Sequence, residues 1–308
     1  MIYAELSGGL GNQMFIYAFA RAMGLSCQEP VTLIDRRDWQ DGAPAHTALA
    51  LDALSISPEV KILADPGFAK RHLPLQNTAK ALMIKYEQRA GLMSRDWQPF
   101  EARMAPLLNT LGLHFATEGY TPARRGRAKD FLAWGYFQSA GYFAGHEERL
   151  RAELMPRENF SPRTDALAKT IEASACPVCL HWRCGDYLNP ENAALQVCTP
   201  AYYARACAAV RDACPGAELF VFSDDLGYVR DHLDPGGLPV HWMEGARPAA
   251  QDLALMRRCR VFVLSNSTFS WWGQWLAGAQ TVFAPDRWYA NGKKTALVEQ
   301  NWTLIPTK

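Results

Sequence analysis

Short apolar runs alternate with longer stretches whose apolar positions recur at helical spacing, and from residue 165 the alternation is regular. "DALAKTIEAS" (165–174) reads as a helix and "PVCLHWR" (177–183) as a strand. "TPAYYARACAAVRDA" (199–213) is a helix, with Thr199 as its cap and Pro200 in its first turn. The series continues with strand "ELFVFSDD" (218–225), helix "LGYVRDHL" (226–233), strand "LPVHWM" (238–243) and helix "AAQDLALMRRC" (249–259). Strand "RVFVLSN" (260–266) and helix "STFSWWGQWLAG" (267–278) follow, and "TVFAPD" (281–286) closes it. Such βα alternation predicts a mostly parallel, doubly wound sheet.

The chain opens in the same way. "IYAEL" (2–6) has strand chemistry, "SGGLGNQ" (7–13) is a glycine-rich turn, "MFIYAFARAMGL" (14–25) a helix and "VTLID" (31–35) the next strand. Residues 40–130 are weakly patterned. "ALMIKYEQRAGL" (81–92) fits a helix and "TPARRGRAKD" (121–130) a solvated basic loop. "MPRENFSPRTD" (155–165), with its two prolines, predicts a linker. The expected division is therefore residues 1–158 and 159–308.

Polar clusters stand where the predicted strands end: "HWRCGD", "FSDD" and "LSNST". In open α/β sheets ligands bind at the carboxyl ends of the strands, so three clusters on one edge predict a ligand site. A helix starting near Ser267 would offer backbone N–H groups and Ser267 and Thr268 hydroxyls to an anion such as phosphate. Asn266 or Ser267 simply capping that helix is the plainer reading. Arg183 presents a planar fork of donors suited to phosphate. His181, two residues back on the same face, can bond a base or phosphate, and Asp186 can orient Arg183. Asp252 is either an ordinary carboxylate at a helix start or an acceptor for two N–H groups of guanine. Asp224 and Asp225 either cap the following helix or serve the donor.

Composition removes other classes. Hydrophobic residues make up 49% of the 308, enough for packed cores. A formal charge of +1 argues against broad nucleic-acid or membrane-surface binding. No apolar run approaches the roughly 20 residues of a transmembrane helix. The first cationic residue, Arg21, comes too late for a secretory signal, so a cytoplasmic protein is expected. Its eight scattered cysteines, with one CxxC at 176–179 inside a predicted strand, read as buried thiols. "GGLGNQM" mimics a dinucleotide fingerprint, with Asp35 ending the second strand. Met14, however, occupies the position that needs a small residue. GxxxxGK[ST], HExxH and GxSxG are missing.

"GGLGNQMFIYAFARA" (8–22), "GYFQSAGYF" (135–143), "HWRCGDY" (181–187), "FSDD" (222–225) and "NSTFSWWGQWLA" (266–277) together resemble the bacterial α-1,2-fucosyltransferases, in order and spacing along almost the whole chain. The resemblance implies an α/β protein of GT-B architecture, two Rossmann-like domains facing across a cleft. It implies inverting transfer of fucose from GDP-L-fucose, without a metal or other cofactor, to O2 of a terminal galactose in a glycan. The acceptor side would be the N-terminal domain and the donor side the C-terminal one. Peripheral contact with a lipid-linked acceptor is also implied, and a place in surface polysaccharide synthesis. Carried over by residue, Arg183 holds the pyrophosphate and stabilises it as it leaves. His181 and Asp252 contact guanine, Ser267 and Thr268 with their amides hold phosphate, and Asn266 is a further donor-binding residue. Phe269 packs by the nucleotide, Gly11, Asn12 and Gln13 approach from the N-terminal domain, and Asp225 is a further donor-side candidate. Asp186, beside Arg183, is the catalytic candidate for the base, with Glu5 and Asp35 as others. One departure stands out: the family commonly reads HxRRGDY, and here Cys184 replaces the second arginine. If the strand continues, residue 184 points away from Arg183. The rival readings are an α-1,6- or protein-directed fucosyltransferase, an NAD-dependent oxidoreductase and an inactive nucleotide-binding module.

Overall fold

The computed structural model describes residues 1–35, 49–91, 96–117 and 119–308. The chain divides into two compact units, Met1–Arg157 and Glu158–Lys308. The boundary lies inside the proline-bearing linker expected from the sequence.

The N-terminal unit is a five-stranded sheet. Its strands are β1 (Ile2–Glu5), β2 (Val31–Asp35), β3 (Val60–Ala64), β4 (Leu113–Ala116) and β5 (Phe131–Gly135), in the order β3-β2-β1-β5-β4, and every pairing is parallel. Helix α1 (Leu10–Cys27) starts earlier than expected, so Gly11, Asn12 and Gln13 form its first turn rather than a loop. The turn before it depends on Gly8. Its φ of 70° suits glycine, and a Cβ there would lie 2.5 Å from the Asn12 side-chain nitrogen. Helix α1 is apolar nearly all round and buried along most of its length, as a helix covered on every side must be. Between β3 and β4 come α2 (Phe68–His72), α3 (Pro74–Ala90) and α4 (Gln98–Thr110), and α5 (Glu147–Glu153) follows β5. The sequence signalled only part of α3, and Leu92, at the end of that expected helix, lies outside the described residues. In the 121–130 loop Arg125 is not solvated as expected: it pairs with Glu29 and donates to the Gly126, Ala128 and Lys129 carbonyls.

The C-terminal unit follows the sequence pattern closely. Its helices are α6 (Pro162–Ala173), α7 (Pro200–Ala213), α8 (Leu226–His232), α9 (Ala249–Met256) and α10 (Thr268–Ala277). Its strands are β6 (Cys176–Trp182), β7 (Ala217–Ser223), β8 (Val240–Trp242), β9 (Val261–Val263), β10 (Thr281–Pro285) and β11 (Thr303–Ile305). Thr199 caps α7 by accepting from the Tyr202 N–H, as expected. The expected series stopped at β10; the structure adds β11 as an edge strand pairing with it in parallel. The six strands run β11-β10-β9-β6-β7-β8, a doubly wound order that reverses direction between β6 and β9. Both units are thus Rossmann-like α/β layers, in keeping with the expected GT-B fold class. Among the described residues no helix is long and apolar enough to cross a membrane.

Candidate active site

The switch point between β6 and β9 collects most of the residues singled out from the sequence. Strand β6 alternates strictly. Val178, Leu180 and Trp182 face the core under α7, where Trp182 stacks on Tyr203 with ring centroids 3.8 Å apart. His181 faces the other side, toward α10. Its Nδ1 lies within hydrogen-bond distance of the Ser265 and Ser270 hydroxyls, and these two sit 2.9 Å from each other. Burial, with the nearby Arg183 charge, pushes the His181 pKa down to about 3, so the ring is neutral at ordinary pH. Ser265 and Ser270 had no role assigned from the sequence. No local pattern signals them: Ser265 lies before α10 and Ser270 in its first turn, and the fold brings both hydroxyls to the imidazole.

Register explains Arg183. Trp182 lies opposite Ser223 in the β6–β7 pairing, so Arg183 and Asp224 come next at the strand tips. Asp224 Oδ2 pairs with Arg183 at 2.7 Å, and its Oδ1 accepts the Cys184 backbone N–H at 2.8 Å. Asp186 takes the other guanidinium nitrogen at 2.6 Å. Burial alone would lower the Arg183 pKa; the Asp224 and Asp186 charges more than offset it and hold the group protonated. A guanidinium has five N–H donors. Two carboxylates fix its plane and leave other N–H groups for a ligand, and its side chain keeps 26% exposure. Arg183 also lies over the Tyr187 ring, 5.7 Å from its centroid, and the Tyr187 hydroxyl donates to the Asn266 carbonyl at 3.1 Å. These contacts tie the end of β6 to the start of α10.

Helix α10 begins at Thr268, with Ser267 as its cap. The Ser267 hydroxyl accepts the Phe269 N–H, and the Ser267 N–H goes to the Ser265 carbonyl. The amides of Thr268 and Ser270 remain in the first turn without an intrahelical carbonyl. Thr268 and Phe269 are half-buried and reachable, and Phe269 lies 5.5 Å from the His181 ring. Behind this turn Trp271, Trp272 and Trp275 form a buried edge-to-face cluster, so they are core rather than a ligand platform.

Other assignments change. Asn266, expected on the donor side, is 1% exposed and spends its amide nitrogen on the Leu195 and Trp288 carbonyls, so it anchors the loop. Asp225 caps α8 through the Tyr228 N–H, the plainer of its two readings, and the neighbouring Asp224 is the residue engaged with Arg183. Asp186, in its ion pair, is placed to orient Arg183 rather than to act as a base. Gln13 is 2% exposed and bonds the Gly8 carbonyl and the Ala50 N–H, so it braces the turn; Asn12 accepts from Gln138 at 2.9 Å. Gly11 is buried in the first turn of α1. Glu5, at the end of β1, is buried and paired with Lys80 at 2.6 Å. Asp35 ends β2 and is also buried. Asp252, in the first turn of α9, pairs through Oδ1 with Arg247, a partner not foreseen. Burial raises its pKa against the Arg247 charge.

Cys184 points away from Arg183 and into the core: it is fully buried beside Trp182 and Tyr203, and the Ser223 hydroxyl donates to its sulfur. A cavity of about 180 Å³ opens at the tip of β6, bounded by Trp182, Arg183, Tyr187, Thr199, Tyr228 and Asn266 among others. Among the described residues no three His, Cys, Asp or Glu side chains are grouped as metal ligands.

Residues 1–306 match the family model of Glycosyl transferase family 11. The chain belongs to this family. Its relatives include the O-antigen biosynthesis glycosyltransferase WbnK of Escherichia coli, 28% identical over 98% of this chain and 99% of the relative. An α-1,2-colitosyltransferase of Escherichia coli is 27% identical over 94% and 92%. Galactoside α-(1,2)-fucosyltransferase 1 of Alouatta caraya is 23% identical over 54% and 52%. In fold, this glycosyl transferase family 11 chain is similar to the fucosyltransferase NodZ from Bradyrhizobium, with a TM-score of 0.52 at 15% identity over 89% and 91% of the two chains. A NodZ α-1,6-fucosyltransferase co-crystallised with GDP gives a TM-score of 0.54 at 14% identity over 92% and 94%.

Proposed function

We propose that this glycosyltransferase moves L-fucose from GDP-L-fucose to O2 of a terminal galactose in a glycan, with inversion, giving an α-1,2 linkage. The observation that carries the reading is Arg183 at the switch point, clamped by Asp186 and Asp224 beside the first turn of α10. In this scheme the acceptor oxygen bonds to the anomeric carbon as the bond from that carbon to the phosphate oxygen breaks, and GDP leaves with the electron pair. Arg183 and the amides of Thr268 and Ser270 stabilise the charge gathering on the pyrophosphate. Neutral His181 and Asp252 face the guanine, and Phe269 packs against it. Asp186 and Asp224 are positioning residues. The acceptor proton passes to a base or to solvent.

A second reading concerns the donor. Colitose is fucose without its 3-hydroxyl, and the colitosyltransferase relative matches over nearly the whole chain, whereas the Alouatta fucosyltransferase matches about half. Incubation of a glycan panel with GDP-fucose and GDP-colitose, with product linkage read by NMR, tests both. An α-1,2-fucosylated galactoside is the expected product. Preferential use of GDP-colitose would move the assignment to the second reading. An α-1,6 linkage or turnover of a nicotinamide instead would overturn both. Activity is expected to survive excess EDTA; loss with chelator and return with magnesium or manganese would overturn the metal-free scheme.

A further inference from the structure

Helix α3 is built partly inside out. The buried positions of α3 are Gln76, Lys80, Met83 and Glu87, with Ala79 and Ile84 partly buried against the same core. Gln76 donates to the Leu111 carbonyl and Lys80 pairs with Glu5, so these polar groups are satisfied inside. Three large side chains stand outward: Leu75 is 56% exposed, Leu82 65%, and Tyr86 52% with its ring stacked on Phe100 of α4. Their spacing of i, i+7 and i+11 places them on one stripe of the helix, about a quarter turn from the buried face. A surface helix normally buries its apolar stripe. Here Leu75 and Leu82 are left outside, and Tyr86 is half covered by α4.

The cations around this stripe outnumber the carboxylates, of which Asp96 is exposed next to Trp97, a ring that meets Tyr86. Lys70, Arg71 and His72 on α2, and Lys85 and Arg89 on α3, are exposed, and Arg71 pairs with Asp65 in the preceding loop. The one carboxylate within these two helices, Glu87, is 1% exposed. By helical position Lys85 and Arg89 flank the apolar stripe on one side. A second copy docking through the same face would set cation against cation. An anionic lipid surface matches both properties: headgroups meet the cations, and Leu75, Leu82 and the amphipathic Tyr86 enter the boundary of the acyl region. We propose that the α2–α3 face binds anionic membrane surfaces, holding the enzyme at a bilayer without crossing it. The proposal does not depend on the donor or linkage assigned above.

Co-sedimentation of the full chain with vesicles tests it. One set is phosphatidylcholine alone, and the other contains about a third phosphatidylglycerol, a strongly anionic surface. The wild-type chain is expected to bind the anionic vesicles about tenfold or more tightly than the neutral ones, and less tightly at high salt. Leu75→Gln/Leu82→Gln is expected to weaken anionic binding by about tenfold, with an unchanged circular dichroism spectrum and unchanged transfer to a soluble acceptor. Lys85→Glu/Arg89→Glu should abolish the preference for anionic vesicles. Failure of the wild type to sediment with either vesicle overturns the proposal, as does equal binding by the leucine pair. A dimer in light scattering that the leucine pair dissolves, with vesicles ignored, would assign the face to a second copy. Loss of soluble transfer in a folded leucine pair would assign it to catalysis.

Discussion

Replacing Arg183 with alanine is expected to lower transfer by about 10²–10³-fold with the fold intact, the usual cost of one transition-state donor. Arg183→Lys should recover little, because a point charge cannot answer Asp186 and Asp224 on separate nitrogens and still face a phosphate. Single-turnover rates and donor affinities for both variants check this; near-normal turnover by folded Arg183→Ala would remove the leaving-group role. Cys184 gives a different lesson. If the strand continued, alternation would turn its side chain away from Arg183, and Cys184→Arg would be expected to leave activity within a few-fold; β6 instead ends at Trp182, two residues short of Cys184. The structure changes that expectation, because the far side of β6 is packed core beside Trp182 and Tyr203. Arginine there is overpacked and brings in a charge, so Cys184→Arg is expected to cost about 2 kcal/mol or more of stability. A melting temperature equal to wild type would show that the side chain finds a way out.

At the scale of elements, the turn from β9 into α10 and the tip of β6 work through shared hydrogen bonds. Ser267→Ala removes the cap while the amides of Thr268 and Ser270 stay, so stability should fall by about 1 kcal/mol and transfer less than in Arg183→Ala. Buried histidines, one in each unit, set an acid limit. His181 titrates near 3 and His114, stacked against Phe19 and Phe137, near 4, both lowered by burial. An unfolded histidine titrates near 6.5, so below that pH the unfolded chain takes up protons that the folded chain refuses. The stability from each neutral ring is complete above about pH 6.5 and falls by about 1.4 kcal/mol per pH unit toward its folded pKa. Denaturant melts between pH 7 and about 4.5 should show this slope, shallower by one histidine's share in His114→Phe. An unchanged slope would mean that His114 titrates normally.

How legible an element was depended on whether its pattern agreed with its burial. In the C-terminal unit, strands such as β6 and β7 are short apolar runs closed by polar tips, and Thr199 with Pro200 announces α7. In the N-terminal unit, α3 buries Gln76, Lys80 and Glu87 and exposes leucines, so hydrophobic periodicity points its core face the wrong way. Strand β11, three residues at a sheet edge, was too short to signal. In the site, residue types pointed to Arg183, His181, Ser267 and Thr268. The clamp by Asp224, the serine pair on His181 and the Arg247–Asp252 pair are contacts across strands or loops, which no local pattern encodes.

For the whole molecule, ligand linkage is the simplest test of the donor side. GDP and GDP-fucose should raise the melting temperature, while UDP, ADP and NAD do so much less; saturation at a hundred times Kd adds about 2.7 kcal/mol. Equal shifts with UDP and GDP would sink the guanine role of Asp252.

The placement of the tryptophans makes the chain its own optical reporter. Seven of the ten, Trp182, Trp242, Trp271, Trp272, Trp275, Trp288 and Trp302, belong to the C-terminal unit. Trp271, Trp272 and Trp275 cluster with centroids 5.1 to 6.3 Å apart, close enough to share excitation energy, directly behind the first turn of α10. Intrinsic emission is therefore weighted toward the C-terminal unit, whereas far-ultraviolet dichroism weighs the helices of both units. A blue-shifted, depolarised emission that persists while half of the helical signal is lost would mark the N-terminal unit opening first, in an unlabelled chain and without mutation.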